Sequence, residues 1–278
     1  MIRLIVDSSA DYTKKELEDR EIELIPLTIS LGEENYLDGV NLTRNELYNW
    51  LTSGDNFPKT SQPSPQAFAE IFEDAKENGD EVICILLSSA LSGTCQSAMI
   101  ARDMVGYEKI HIVDSLSATH AIRILADYAN RMRRNGSQAR QIVTALEELK
   151  SKIKILAAVD TLEYLHRGGR LSKTAATVGT LVNLKPVITV TTEGTVSVVT
   201  KCMGKNKTLS YLINSFKELA VDTAFPIYSL YTYGEDNTIA LEARLAENNI
   251  TITDRLQVGA TIGCHIGPGA SGIVFVEK

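Results

Sequence analysis

The chain has 278 residues, of which 44% are hydrophobic and 23% are charged, and its formal net charge at pH 7 is −7. This length and apolar content are typical of a folded protein with one large or two modest domains, and they argue against a disordered chain. The acidic balance argues against general nucleic-acid binding, which needs a basic surface to neutralise phosphates. We therefore expect a soluble protein without a nucleic-acid partner.

The four cysteines form no Cys-x-x-Cys pair, so the sequence supports neither a zinc site nor a dithiol redox motif. They are Cys84, Cys95, Cys202 and Cys264. We expect reduced thiols and no metal or cofactor. Residues 2–6 follow a strand pattern with no basic leader before it, and no apolar run approaches the roughly 20 residues that cross a bilayer. We therefore expect a cytoplasmic protein.

The first half of the chain alternates strand patterns with amphipathic helix patterns. Buried strands are predicted at residues 4–6, 23–29, 82–87 and 110–113. Helices are predicted from Ser64-Pro65 onward, from about residues 92–94 to Gly106, from about residue 121 to Gly136, and over residues 137–150. Strands that alternate with helices indicate a parallel sheet flanked by helices. We therefore predict an N-terminal α/β domain over residues 1–152.

The second half is richer in β-branched strand patterns. Strands are predicted at residues 155–159, 187–191, 196–200, 227–233 and 273–276, with helices at about residues 209–219 and 238–247. The turn Glu193-Gly194 joins two of these strands as a hairpin, which makes the pair antiparallel. We therefore predict a C-terminal α+β domain over residues 153–278 with a largely antiparallel or mixed sheet.

Three polar segments carry candidate functional residues. Residues 263–270 place His265 among glycines and a proline, which predicts a turn that presents the ring to a ligand just before the last strand. Thr60 and Ser61 precede a helix start, where their hydroxyls can face a cleft. Ser92, Gly93 and Thr94 lie between a strand and a helix, where helix amides favour an anion and where open α/β sheets bind ligands. Each segment also has a simpler interpretation as a turn or helix cap.

Two further segments follow strands at the same edge, Asp7-Ser8-Ser9 and Asp114-Ser115, and we expect them to cap and brace loops. They also allow a rival function. A serine hydrolase or acyltransferase would use Ser92 and His265 with Asp7 or Asp114, although the chain lacks the Gly-x-Ser-x-Gly elbow. A third interpretation, a small-anion sensor, predicts little apolar space inside the protein.

A basic segment is the remaining candidate. It contains His166, Arg167, Arg170 and Lys173, which form either a solvated loop or a docking site for a phosphate or an acidic partner. Residues 168–174 resemble a phosphate-binding loop, but Ser172 replaces the glycine before the lysine. Residues 267–272 match the dinucleotide pattern, but a strand rather than a helix should follow. The sequence therefore predicts no nucleotide-driven activity of its own.

Five ordered motifs make the whole chain resemble the DegV family of bacterial fatty-acid-binding proteins. They are Ile5-Val6-Asp7-Ser8-Ser9-Ala10-Asp11, Thr60-Ser61-Gln62-Pro63-Ser64, Leu91-Ser92-Gly93-Thr94-Cys95-Gln96-Ser97-Ala98, Arg167-Gly168-Gly169-Arg170-Leu171-Ser172 and residues 263–270. The resemblance implies a long-chain fatty acid buried between the two predicted domains. It implies a ligand-binding set whose hydroxyls, amides and imidazole hold the carboxylate: Thr60, Ser61, Ser92, Gly93, Thr94, His265 and Gly267.

The resemblance also implies partners. In fatty acid kinases of this type, the bound acid is presented to a separate ATP-using subunit that makes acyl-phosphate for phospholipid synthesis. Arg167, Arg170 and Lys173 match the family's basic loop and are the predicted docking residues. Transient membrane contact during lipid exchange is also expected, and the protein itself is expected to be a binding protein and not an enzyme.

Overall fold

The computed structural model describes residues 1–54, 57–172 and 184–278. Its strands are β1 (Ile2–Asp7), β2 (Ile22–Ile25), β3 (Thr28–Leu31), β4 (Glu34–Leu37), β5 (Lys59–Ser61), β6 (Glu81–Leu86), β7 (Ile110–Asp114), β8 (Ile153–Ala158), β9 (Leu184–Val190), β10 (Val196–Met203), β11 (Tyr228–Tyr231), β12 (Asp254–Gln257) and β13 (Ser271–Val276). Its α-helices are α1 (Lys14–Arg20), α2 (Arg44–Thr52), α3 (Pro65–Glu77), α4 (Thr94–Val105), α5 (His120–Arg134), α6 (Ala139–Lys150), α7 (Glu163–Arg167), α8 (Gly204–Glu218), α9 (Asp236–Ala246) and α10 (Ala260–Ile266).

The first sheet is parallel, with strand order β2-β1-β6-β7. Successive residues of β1 point to opposite faces, so Ile5 packs with α3 and α4 while Leu4 and Val6 pack with α5 and α6. Both faces are therefore buried, as expected for parallel strands covered by helices. The predicted α/β arrangement is confirmed.

The second sheet has six strands in the order β10-β9-β8-β13-β11-β12. Its neighbours are antiparallel except for β11 and β12, which are parallel. Helices α8 and α9 cover its outer face, and its inner face packs into the core that contains α5. The turn between β9 and β10 places Gly194 at φ 78°, which a glycine adopts without strain. The predicted hairpin and the mixed sheet are confirmed.

A small third sheet, with order β4-β3-β5, corrects one prediction. The segment 23–29 does not form one strand, because β2 belongs to the parallel sheet and β3 belongs to this antiparallel sheet. Pro26 lies between them and has no amide hydrogen to continue a strand ladder. The next amide, that of Leu27, donates to Ser8 Oγ at 3.1 Å.

Helix α10 corrects a second prediction, because His265 lies in the last turn of a helix and not in a glycine-rich turn. The helix packs among α2, α7 and the small sheet. Its internal Gly263 allows this packing, since a Cβ there would lie 2.5 Å from Tyr48 Oη. The helix ends only at Gly267, where φ is 72°. Within the described residues, no helix has the length and apolarity that a membrane span requires.

Candidate ligand-binding cavity

A narrow cavity lies between α10 and the inner face of the six-stranded sheet. Its volume is about 70 Å³, so the channel is thin. Such a shape admits a thin, unbranched chain and excludes a bulky ring system. Aliphatic side chains form most of the lining. The polar residues that line it are Thr60, Ser92, Thr119, Arg170, Thr189, Thr261 and His265.

Four of these polar residues converge, and we call them the head cluster: Thr60, Ser92, Arg170 and His265. Strand β5 supplies Thr60, whose Oγ1 lies 2.8 Å from Nε2 of His265. The Arg170 guanidinium donates from Nε to the carbonyl of Leu91 at 2.9 Å, next to Ser92. Segments from both halves of the chain therefore build one polar end on an otherwise apolar cavity.

Ser92 lies just before α4, which begins where the sequence predicts. Its Oγ is 2.8 Å from Oγ1 of Thr94, and Thr94 is fully buried. The N-cap of α4 is Gly93, and no side chain caps this helix end. A Cβ at Gly93 would overlap the side-chain amide of Gln62, which would then have to move. The first amides of a 12-residue helix thus lie beside the head cluster, where they favour a negative charge.

The imidazole of His265 is neutral in the ligand-free protein. Burial, together with the nearby Arg170 guanidinium, lowers the pKa of His265 to about 4. Its Nδ1 is buried and has no hydrogen-bond partner among the described residues. A Cβ at Gly168 would overlap this atom, so only glycine lets the chain after α7 come this close. A bound anion would raise the pKa of the ring, because an opposite charge favours the protonated form.

The Arg170 guanidinium has a fixed orientation. Besides its bond to Leu91, it donates from an Nη to the carbonyl of Gly168 at 2.6 Å. Burial lowers its pKa from the ordinary value of 12.5, but a guanidinium stays protonated in proteins. The head cluster therefore contains one permanent positive charge held by two backbone carbonyls.

The other predicted site residues lie outside the lining. Ser61 is exposed on β5, and Gly267 packs against the ring of Tyr164 after α10 ends. Arg167 is exposed, pairs with Glu163 and lies 3.7 Å above the ring centre of Phe57. Lys173 lies outside the described residues. Of the two docking residues that the structure describes, Arg167 and Arg170, Arg170 lines the cavity.

The carboxylates proposed for a hydrolase are used elsewhere. Asp7 accepts the amide of Leu87 at 2.6 Å and the amide of Ser9 at 2.9 Å. Asp114 accepts the amides of Ser89 and Leu116 at 3.1 and 3.0 Å. Both brace loops, as the sequence predicts. Across residues 1–54, 57–172 and 184–278, no carboxylate is hydrogen-bonded to His265, and no group of three or more His, Cys, Asp or Glu could hold a metal.

Sequence reasoning misses three threonines of the lining. Thr119, Thr189 and Thr261 lie in segments that show no unusual composition, so only their hydrogen bonds distinguish them. Thr119 and Thr261 donate their hydroxyls to Asp11 and Asp38, which lie outside the lining, at 2.5 and 2.6 Å, and Thr189 donates to the backbone carbonyl of Ile155 at 2.7 Å. Gly168 stands in the sequence only as one member of the basic motif, and its contact with His265 depends on two segments that are distant along the chain.

Comparisons with known proteins match this chain over its full length. The family model described as "Uncharacterised protein, DegV family" matches residues 1–278. A DegV domain-containing protein of Caldanaerobacter subterraneus subsp. tengcongensis is 37% identical over 279 residues, covering 100% of this chain and 99% of the relative. Another from Clostridium acetobutylicum is 31% identical over 277 residues, with coverage of 100% and 99%.

Solved structures share the whole fold. A DegV family protein from Thermus thermophilus, described as fatty acid binding, superposes with a TM-score of 0.89 at 30% identity, covering 100% of this chain and 99% of that one. A stearic acid-binding protein from Eubacterium ventriosum gives a TM-score of 0.89 at 27% identity, with the same coverage. The fatty acid binding protein DegV from Bacillus subtilis gives 0.85 at 29%, again with that coverage. This chain belongs to the DegV family.

Proposed function

We propose that this protein binds a long-chain fatty acid in the cavity, with the carboxylate at the head cluster. The observation that carries the proposal is the combination of a thin apolar cavity with polar groups that converge at one end. The hydroxyls of the three lining threonines outside the head cluster already donate to acceptors of the protein. A carboxylate therefore finds its donors at the head cluster, and this fixes the orientation of the ligand.

The expected energetics differ between the tail and the head of the ligand. Burying a methylene group is worth about 0.8 kcal/mol, so a chain of roughly 15 contributes about 12 kcal/mol before ordering costs. A charge-assisted hydrogen bond contributes about 1.5–3 kcal/mol, less the desolvation of the carboxylate. The tail therefore dominates affinity, and the head cluster selects an acid over other lipids and sets its position.

The solved relatives support the same ligand class. The Thermus thermophilus protein is described as fatty acid binding and the Eubacterium ventriosum protein as stearic acid-binding. In this chain the hydroxyls of Thr60 and Ser92, the amides of α4 and the His265 ring would hold the carboxylate. The cavity would lie between the domains predicted at residues 1–152 and 153–278.

We further propose that the bound acid is presented to a separate ATP-using kinase subunit. A carboxylate oxygen would attack the γ-phosphorus of ATP, releasing ADP and leaving an acyl-phosphate for phospholipid synthesis. Arg170 supports this step, since its fixed positive charge lies in the head cluster, where the incoming phosphoryl group adds negative charge. The proposed docking residues are Arg167, which is exposed, Arg170 and Lys173. The proposal places the protein in the cytoplasm, with transient membrane contact for lipid exchange.

The test substitutes two neighbouring alanines on β8, one at a time. Native and then denaturing mass spectrometry of each purified variant measures whether a fatty acid is bound. Ala157 lines the cavity, whereas Ala158 packs on the opposite face of the sheet. Ala157→Leu should abolish a noncovalently bound fatty acid, and Ala158→Leu should keep it. Both add similar bulk to a packed interior, which costs about 1–3 kcal/mol, so melting temperatures control for stability.

Two outcomes would contradict the proposal. Absence of lipid from the unsubstituted protein, together with no binding of added fatty acid, would favour a small-anion sensor. An acyl group that stays attached after denaturation, and that is lost in Ser92→Ala, would favour the acyltransferase. Labelling of Ser92 by a fluorophosphonate would support the latter independently.

A further inference from the structure

An open surface cleft lies directly behind one wall of the acyl cavity. The cleft is lined by Ser8, Asp11, Asp38 and Gly259, among others. The cavity side of the same region is lined by Thr119, Val258 and Thr261. Because Val258 and Gly259 are consecutive residues, one layer of the protein separates the interior cavity from the cleft.

Two threonine–aspartate pairs form that layer. Thr119 Oγ1 donates to Asp11 Oδ2 at 2.5 Å. Thr261 donates to Asp38 Oδ2 from its hydroxyl at 2.6 Å and from its amide at 3.0 Å. Asp11 and Asp38 are only 2% and 4% exposed despite lining the cleft. In each pair the threonine belongs to the cavity and the carboxylate belongs to the cleft.

Thr119 occupies a backbone conformation that a threonine rarely adopts. Its φ is 52° and its ψ is −138°, a region in which β-branched side chains are strained and glycine is not. The hydrogen bond to Asp11 holds the side chain in this position. Such strain persists only where the surroundings fix the residue, and it occurs preferentially at ligand sites.

Polar and charged groups surround Asp11 within this layer. The His120 Nδ1 lies 3.8 Å from Asp11 Oδ2. On the cleft side, Arg44 donates to the backbone carbonyl of Asp11 at 2.6 Å. Asp11 is therefore fixed from more than one side, and through its hydrogen bond it fixes Thr119.

We propose that Thr119 and Thr261 are specificity-determining residues that limit the length of the acyl chain. They close the cavity on the side of the cleft, and Asp11 and Asp38 hold them in place. This inference rests on the proposed function. If either threonine is reduced in size, the cavity joins the cleft, whose wall also includes Leu24, Val40 and Leu42. The end of a longer chain then has apolar surface to cover.

The experiment measures which acids the protein retains from an equimolar series of saturated fatty acids of increasing length, read by native mass spectrometry. Thr119→Gly suits the observed backbone angles and should fold. We expect it to extend the longest retained chain by about two carbons, because three side-chain heavy atoms are removed. Each newly accommodated methylene should tighten binding about fourfold. Thr261→Ala should shift the limit in the same direction.

Thr189→Ala is the matched control. Thr189 also lines the cavity and donates its hydroxyl to a protein acceptor, but that acceptor is the carbonyl of Ile155 in the sheet and not a residue of the cleft. An unchanged chain-length limit in both test variants, or an equal shift in Thr189→Ala, would overturn the inference. Failure of the unsubstituted protein to retain any acid would instead overturn the proposed function.

Discussion

Replacing Gly168 with alanine should disturb the head cluster without altering the rest of the fold. The backbone of Gly168 has φ −72° and ψ −9°, which alanine adopts readily. The added Cβ would overlap Nδ1 of His265 and lie 2.9 Å from its Cε1 and 3.0 Å from the carbonyl of Tyr164. Since the carbonyl belongs to α7, the imidazole is the group that can move, and its movement would disturb the contact with Thr60.

The size of the effect follows from the hydrogen bonds that the imidazole makes. Displacing the ring breaks the 2.8 Å bond between Thr60 and His265, worth about 0.5–1.5 kcal/mol of stability. Overpacking adds about 1–3 kcal/mol. If the ring also loses a charge-assisted hydrogen bond to the fatty acid carboxylate, worth about 1.5–3 kcal/mol, affinity should fall between about tenfold and about 150-fold.

The assay is a titration of delipidated protein with a fatty acid and with the fatty alcohol of equal length, and urea unfolding gives the stability change. Gly169→Ala is the matched control, because φ at Gly169 is 74° and, its chain neighbours aside, no atom of the described residues lies within 4 Å of the position that its new Cβ would occupy. It should cost stability through backbone strain but leave the acid's advantage over the alcohol unchanged. Gly168→Ala should remove most of that advantage.

Two results would refute this reasoning. If Gly168→Ala binds the acid as tightly as the unsubstituted protein does, while Thr60→Val weakens binding, then the position of the His265 ring does not control the head cluster. Equal weakening of acid and alcohol would also refute it, because that result would mean a change in the acyl cavity and not at the head.

Three further predictions test separate parts of the protein. The pKa of His265 is about 4 in the folded protein and near 6.5 when unfolded, so below pH 6.5 the unfolded chain binds more protons and stability falls. The ligand-free protein should therefore lose unfolding free energy between pH 7 and pH 5, and His265→Gln should make that loss smaller by about 2 kcal/mol. Urea titration at the two pH values measures the loss. If the loss is the same in the variant, the His265 ring is exposed. Ser92→Ala should lower acyl-phosphate formation with a kinase subunit more than lipid retention, because the tail dominates affinity; equal losses in the two assays would contradict this. Glu16→Gln should lower the melting temperature, since the buried Arg123 loses an ion pair worth about 1–3 kcal/mol, whereas loss of the exposed Lys15–Asp19 pair through Lys15→Ala should change it little.

The sequence predicts local features of this fold well where the signal is short-ranged. The cap Ser64 accepts the amide of Ala67, as the Ser-Pro pair indicates. Helix α4 ends at Gly106 in a left-handed conformation, which the glycine also indicates. Both large sheets follow from the order of strand and helix patterns, because each buried strand needs a cover.

The sequence fails where distant segments decide the conformation. Glycine and proline around His265 favour a turn, but the packing of Gly263 against Tyr48 makes the preceding residues helical. The small sheet is also absent from the predictions, since β5 has only three residues, too few for a clear alternating pattern. Tertiary packing overrides local preference in both cases.

In the candidate site, too, residues with a local sequence signal are predictable and residues placed by long-range contacts are not. Ser92 and Thr60 are predictable because they lie beside a helix start, and both line the cavity. The predicted role of Arg170 in docking follows from a basic segment, whereas its bond to Leu91 depends on a contact over 79 residues. Such a contact has no counterpart in local composition, so no pattern along the chain identifies it.

The placement of α10 has a consequence for how the chain folds. The helix lies within the final part of the sequence, yet Asp38 and Tyr48 hold it across separations of 223 and 210 residues. Contacts of such separation form late, because the entropy of closing the loop precedes any gain. The aliphatic walls of the cavity should therefore be exposed to water until the last segment docks. We therefore expect chaperone dependence and aggregation during synthesis to depend on how fast residues 258–266 dock. A lipid supplied during refolding should raise the yield of native protein, because it binds the folded state.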